Sequence, residues 1–179
     1  MELIITDTSE TMASWLAKPY LNEETRKLLT GVDAMIVPQE NFRDYEIPLF
    51  PSNLMVFYDI LKAHLKVEAA INEEDYREVS LNSRMHRYGK TIVHAIAIPI
   101  FVGVVSNLIS ELLKQDLDDE VEIEVIIQHN PGKSTSVKYQ GPIIGFNQVA
   151  TKIKEIAYNG NSREHRTDTT KSTNESSSK

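Results

Sequence analysis

Cysteine is absent from all 179 residues. That removes disulfides, thiolate metal sites, iron–sulfur clusters and cysteine nucleophiles together, and it fits a reducing compartment. Basic residues are in deficit too, 19 Lys and Arg against 26 Asp and Glu, for a net charge of −7. An acidic chain with only 7% aromatics repels a phosphate backbone and has few rings to stack on bases, so nucleic acid is not expected as a partner. Met1 to Asp7 has neither a basic n-region nor a long apolar h-region, so no signal peptide is expected.

Catalytic signatures are equally scarce. Gly89-Lys90-Thr91 resembles the end of a phosphate-binding loop, but Arg84 stands where the first glycine of that pattern belongs. Gly89 then reads as the start of a helix, with Lys90 solvated. Gly132-Lys133-Ser134 has the same ending, with Ile127 in the glycine position and a strand pattern following, which indicates a hairpin turn. Glu73-Glu74-Asp75 and the later Asp116, Asp118, Asp119 and Glu120 lack the spaced donors and central glycine of a calcium loop. They read as solvated charge. His64, His86, His94, His129 and His165 show no metal-ligand spacing, and His94, in apolar surroundings, reads as a core histidine. No catalytic residue, cofactor, metal site or small-molecule ligand is expected.

What the chain does have is an uncharged run of twenty residues, Thr91 to Ser110, long enough to cross a bilayer or to form one buried helix. Arg84, Arg87 and Lys90 before it and acidic residues after it would put the N-terminal half inside the cytoplasm if it spanned the inner membrane at about 91–113. His94, Pro99, Gly103, Ser106 and Asn107 inside the run oppose insertion. Ala95, Pro99, Gly103 and Asn107 recur every four residues, a stripe of small or polar groups suited to close packing. The strands expected on either side need one shared sheet to bury their apolar faces. The buried helix and a cytoplasmic location are therefore the expectation, and the membrane span is the alternative.

The remaining pattern is that of an α/β domain over residues 1–158, with α+β as the alternative class. Leu3, Ile4 and Ile5 suggest a strand, after which Asp7 or Ser9 caps a helix carrying Met12, Trp15 and Leu16. Asn22 caps a second helix that Gly31 closes, and Val32 to Val37 form a buried strand. Leu54, Tyr58, Leu61 and Leu65 lie on one helical stripe. Val67, Ala69 and Ile71 alternate as a strand does, as do Val121, Ile123, Val125 and Ile127 against Glu122 and Glu124. Val137 and Tyr139 return as the second arm of a hairpin, and Phe146, Val149, Ile153 and Ile156 mark a final helix. From Asn159 on, twelve of 21 residues are Ser, Thr or Asn, which predicts a disordered polar tail over 159–179. Phe42, Tyr45, Phe50 and Pro51, aromatic or rigid residues on a polar loop, are the candidate interaction surface.

Ile36 to Pro38 with Pro48 to Pro51, Ala97 to Pro99, and the closing strand, strand and helix with Tyr139 to Pro142 resemble a widespread group of small uncharacterised bacterial proteins. The apolar helix followed by hairpin and helix is similar to effector-associated components of bacterial conflict systems. The resemblance spans residues 32–157 and implies no catalytic residues; action through protein contacts, with a protein partner or as a homo-oligomer, is the expectation.

Overall fold

The computed structural model describes residues 1–43, 45–52, 54–80, 85–114, 119–130 and 132–168. Among the described residues, eight strands and five α-helices follow one another: β1 (Glu2–Thr8), α1 (Met12–Leu16), α2 (Glu23–Leu29), β2 (Ala34–Val37), β3 (Phe50–Pro51), α3 (Leu54–Lys62), β4 (Val67–Ala69), β5 (Glu78–Val79), β6 (Met85–His94), α4 (Ile98–Leu113), β7 (Glu120–Asn130), β8 (Lys133–Pro142) and α5 (Phe146–Asp168). Six strands make a mixed sheet in the order β1-β8-β7-β6-β2-β4, and β3 and β5 pair separately. The chain is thus a mixed α/β fold.

Strand alternation assigns the two faces of the sheet. Val121, Ile123, Val125 and Ile127 of β7, with Val137 and Tyr139 of β8, face a core that α3, α4 and α5 cover with Phe57, Leu61, Phe101, Val105, Phe146 and Ile153. Met35, Val37, Ile92 and Ile126 face the other way, against Met12 and Trp15 of α1 and Leu29 of α2. Thr91 is wholly buried on the first side and, among the described residues, its hydroxyl has no hydrogen-bond partner, a desolvation cost that the surrounding packing must offset.

The apolar run divides differently from its sequence expectation. Thr91 to His94 complete β6, and a short 3-10 turn, Ala95–Ala97, leads into α4. The reason is pairing: Thr91, Ile92 and Val93 lie between Ile36, Met35 and Ala34 on one side and Val125, Ile126 and Ile127 on the other, and β-branched residues fit such a central strand. β6 and β7 are parallel neighbours, so a crossover has to join them, and α4 is that crossover. Ala95–Leu112 passes for a membrane span by length and composition alone, and 44% of it is buried. Ile98, Phe101, Val102, Val105 and Ile109 form the buried stripe. The small-residue stripe divides: Ala95, in the 3-10 turn, is buried, whereas on α4 Pro99 and Asn107 are exposed and Gly103 meets open space. Beside it Ile96 is 85% and Ile100 51% exposed.

Three smaller expectations also change. Thr11 caps α1 in a capping box with Ser14, because its side chain accepts from the Ser14 N–H while the Ser14 hydroxyl accepts from the Thr11 N–H. His94 is only half-buried, at the strand end, where its N–H donates to the Asp33 carbonyl. α5 runs from Phe146 to Asp168, longer than the stripe from Phe146 to Ile156 suggests; residues 169–179 lie outside the described residues.

Candidate functional site

Because α1 and α2 cover only part of the second face, the sheet there is left open beside α1 and the loop after β2. The opening is a groove of about 740 Å3. Its floor is charged: Arg87 and Lys90 come from β6, Glu122 and Glu124 from β7, and Lys138 from β8. Glu122 and Glu124 are the outward half of an alternation whose inward half is Ile123 and Val125.

Arg87 and Lys90, an odd number of residues apart, should point to opposite faces. They do not, because the register shifts between them: Arg87 lies opposite Glu122 and Lys90 opposite Glu124. Three steps on β6 match two on β7, which is a β-bulge. Gly89 makes it feasible, with φ of +67°, and a Cβ there would lie 3.3 Å from Pro51 Cγ. The backbone conformation therefore favours glycine, and a side chain would also crowd Pro51. This corrects the helix-start reading of Gly89-Lys90-Thr91; the segment is strand and offers no phosphate cradle.

The charges are matched across strands. Arg87 Nε is 3.1 Å from Glu122 Oε2, Lys138 Nζ is 3.8 Å from Glu122 Oε1, and Lys90 Nζ lies 2.8 Å from Glu10 and 3.8 Å from Glu124. The Ser136 hydroxyl donates to Glu124 at 2.9 Å. On the α1 side Lys18 Nζ sits 2.6 Å from Glu40 and 4.6 Å from the centre of the Trp15 ring. Trp15 Nε1 donates to Glu10 at 3.2 Å. These side chains are partly hydrated, so each pair is worth about 1 kcal/mol at most; their joint effect is to fix the groove's shape and cancel its charge. The Met12 N–H donates to Gln128 Oε1 at 2.8 Å, which pins α1 to β7.

The loop that walls the groove carries two non-glycine residues in left-handed conformations, Asn41 at φ +54° and Arg43 at φ +53°. Asparagine tolerates this region and arginine less so, which marks the turn as locally strained. Phe42, between them, lines the groove with the Arg43 guanidinium 5.1 Å from its ring centre. Tyr20 donates to Glu40 at 3.3 Å, and its phenol is pushed up by burial first and by the Glu40 carboxylate second.

Burial likewise pushes up Tyr76, helped by Glu78, and raises Tyr88 to about 12. A free tyrosine ionises near pH ~10. A raised folded value means the stabilising contribution is whole below that pH and is lost as pH climbs through the folded values. Unfolding is therefore expected to track tyrosinate absorbance in an alkaline titration, with stability falling from about pH 10 toward 12; unchanged urea midpoints across that range would count against buried tyrosines.

Of the four candidate surface residues, Phe42 and Pro51 reach the groove. Phe50 is fully buried and stacks on Tyr76 at 5.0 Å, and Tyr45 is 52% exposed away from the groove lining. The four do not form one surface. Glu73–Asp75 is a 3-10 turn in which Asp75 accepts from Asn72, while Asp116 and Asp118 lie outside the described residues. Among the described residues no three His, Cys, Asp or Glu side chains gather to hold a metal ion, and no histidine lines the groove. Chemically, the groove can complement a polar surface with matched positive and negative groups.

A second feature lies at the sheet's edge. β1 pairs with β8 from Glu2↔Gln140 to Thr8↔Ser134, and among the described residues no strand pairs its outer side. Leu3, Ile4 and Ile5 are each 40% or 41% exposed, and β1 contains neither proline nor lysine. Natural edge strands usually carry such residues, or a bulge, to block further pairing. Sequence reading found the strand but not its place at the edge, because strand order depends on partners far along the chain. Comparison with protein-family models, with curated proteins and with solved structures finds no match for this chain.

Proposed function

We propose that this protein is a non-enzymatic interaction module that binds a protein partner through strand addition at β1. The observation that carries the reading is the seven-residue open edge with Leu3, Ile4 and Ile5 all exposed. Unpaired N–H and C=O groups along such an edge supply backbone hydrogen bonds to an added strand, and alternate side chains supply specificity. The setting we propose is a cytoplasmic bacterial assembly, in defence or signalling.

Anchoring α4 in a membrane is the competing reading, supported by exposed Ile96 and Ile100. It requires α4 to leave the sheet while β6 and β7, joined by it, stay hydrogen-bonded side by side. That geometry favours the interaction module.

Ile4→Lys tests the proposal, since a lysine on an edge strand discourages pairing and position 4 is already exposed. The wild type is expected to carry a bound protein through purification, and the full-length variant to keep its melting temperature but lose that association. Association of equal strength in the variant would rule out β1 as the contact.

A further inference from the structure

We infer that the strand which completes β1 is the β1 of a second copy of this chain, paired antiparallel about a two-fold axis through Ile4. The inference rests on the reading of β1 as an interaction edge and names its occupant.

The reasoning begins with symmetry. Two identical edge strands related by a two-fold axis perpendicular to the sheet run antiparallel, and side chains directly opposite each other must lie on the same face. A residue therefore has to sit on the axis opposite itself, which leaves three registers for the apolar part of β1. Centred on Leu3, Ile4 would face Glu2 of the other copy. Centred on Ile5, Leu3 would face Asp7. Centred on Ile4, Ile4 meets Ile4, and Leu3 and Ile5 meet each other twice; Glu2 then lies opposite Thr6, and Asp7 opposite Met1. Only this register puts Leu3, Ile4 and Ile5 all against apolar side chains, with Glu2 against a threonine and the one carboxylate–apolar pairing, Asp7 with Met1, left to the end of the pairing, which is the arrangement cross-strand pairs favour.

The two faces also match. Leu3 and Ile5 pair with Tyr139 and Val137 of β8, on the face that α5 covers, while Ile4 pairs with Lys138 on the groove face. In the dimer the apolar layer beneath α5 would therefore continue from one copy into the next through Leu3 and Ile5, and the groove faces of both copies would lie on one side of a single sheet. The interface is isologous and closes on itself, so it ends at two copies.

The absence of native cysteine makes the test clean. Two residues on the axis have Cα atoms about 4.5–5.5 Å apart, within disulfide range, whereas residues two positions off it are too far apart. Ile4→Cys is expected to oxidise to a covalent dimer that disappears on reduction, and Thr6→Cys, exposed on the same face, is expected to form no covalent dimer under the same treatment. Sedimentation of the full chain without cysteine should show a monomer–dimer equilibrium that Ile4→Lys removes. Wild type that remains monomeric up to about 1 mM, with no Ile4→Cys disulfide, overturns self-pairing while leaving β1 free for a different strand. Cross-linking through Thr6→Cys instead overturns the register. A dimer that survives Ile4→Lys unchanged places the interface elsewhere and overturns both this inference and the reading beneath it.

Discussion

Replacing Asn72 with alanine is expected to destabilise the protein by about 3 kcal/mol, the sum of several buried partners left unpaired. Asn72 is 5% exposed, and its side chain uses its whole capacity. Oδ1 accepts from the Asn22 N–H at 2.9 Å and from the Thr25 hydroxyl at 3.0 Å; Nδ2 donates to the Tyr20 carbonyl and to Asp75 Oδ2, both at 2.7 Å. Asn22 is itself the cap of α2, accepting from the Thr25 N–H at 2.8 Å. One amide thus ties the link between α1 and α2, the first turn of α2 and the turn after β4 into one unit. Asn72→Asp keeps the shape but aims an acceptor at a carbonyl and a carboxylate, so a comparable loss is expected. Urea denaturation is the measurement. A loss below about 1 kcal/mol would mean that the network is replaceable by water.

The second large effect concerns α4. Phe101 is 1% exposed and belongs to the main core, whereas Ile100, its neighbour in sequence, is 51% exposed. Phe101→Ala is expected to cost about 3–5 kcal/mol through lost burial and the cavity left behind. Ile100→Ser should fall within about 0.5 kcal/mol, as surface changes do. The contrast matters more than either value. A helix surrounded by lipid would not separate the two positions this way, so equal effects in urea denaturation would argue that α4 leaves the core.

Much of this architecture is legible in local pattern. The Glu122/Glu124 alternation, the hairpin and the core faces of α3 and α5 each depend on neighbours two to four residues away, which a sequence displays directly. The boundary at His94 is not local: an uncharged run of β-branched residues suits a buried strand or an apolar helix equally, and only the pairing of Thr91 to Val93 with β2 and β7 decides it. The small-residue stripe misleads for a related reason. Spacing shows that Pro99, Gly103 and Asn107 share a face, but not which side of the helix meets the sheet. An isolated glycine in a strand-like stretch can mark a bulge, as Gly89 does but Gly141 of β8 does not, and the bulge at Gly89 places Arg87 and Lys90 in the same groove. The ion pairs themselves join residues up to 80 positions apart, as Lys90 and Glu10 are, and no motif announces them. The open edge is invisible for the same reason: β1 lies at the chain's start but beside β8, near its end.

Hydrogen exchange read residue by residue over β1 in the full-length chain tests the open edge most directly. In dilute protein the amides that bond to β8 should exchange slowly and the alternate ones, pointing outward, quickly; the fast set should slow as a partner strand is supplied or the concentration raised. Uniformly slow exchange along Glu2–Thr8 at every dilution would mean that the protein covers this edge itself, and that it recruits nothing there.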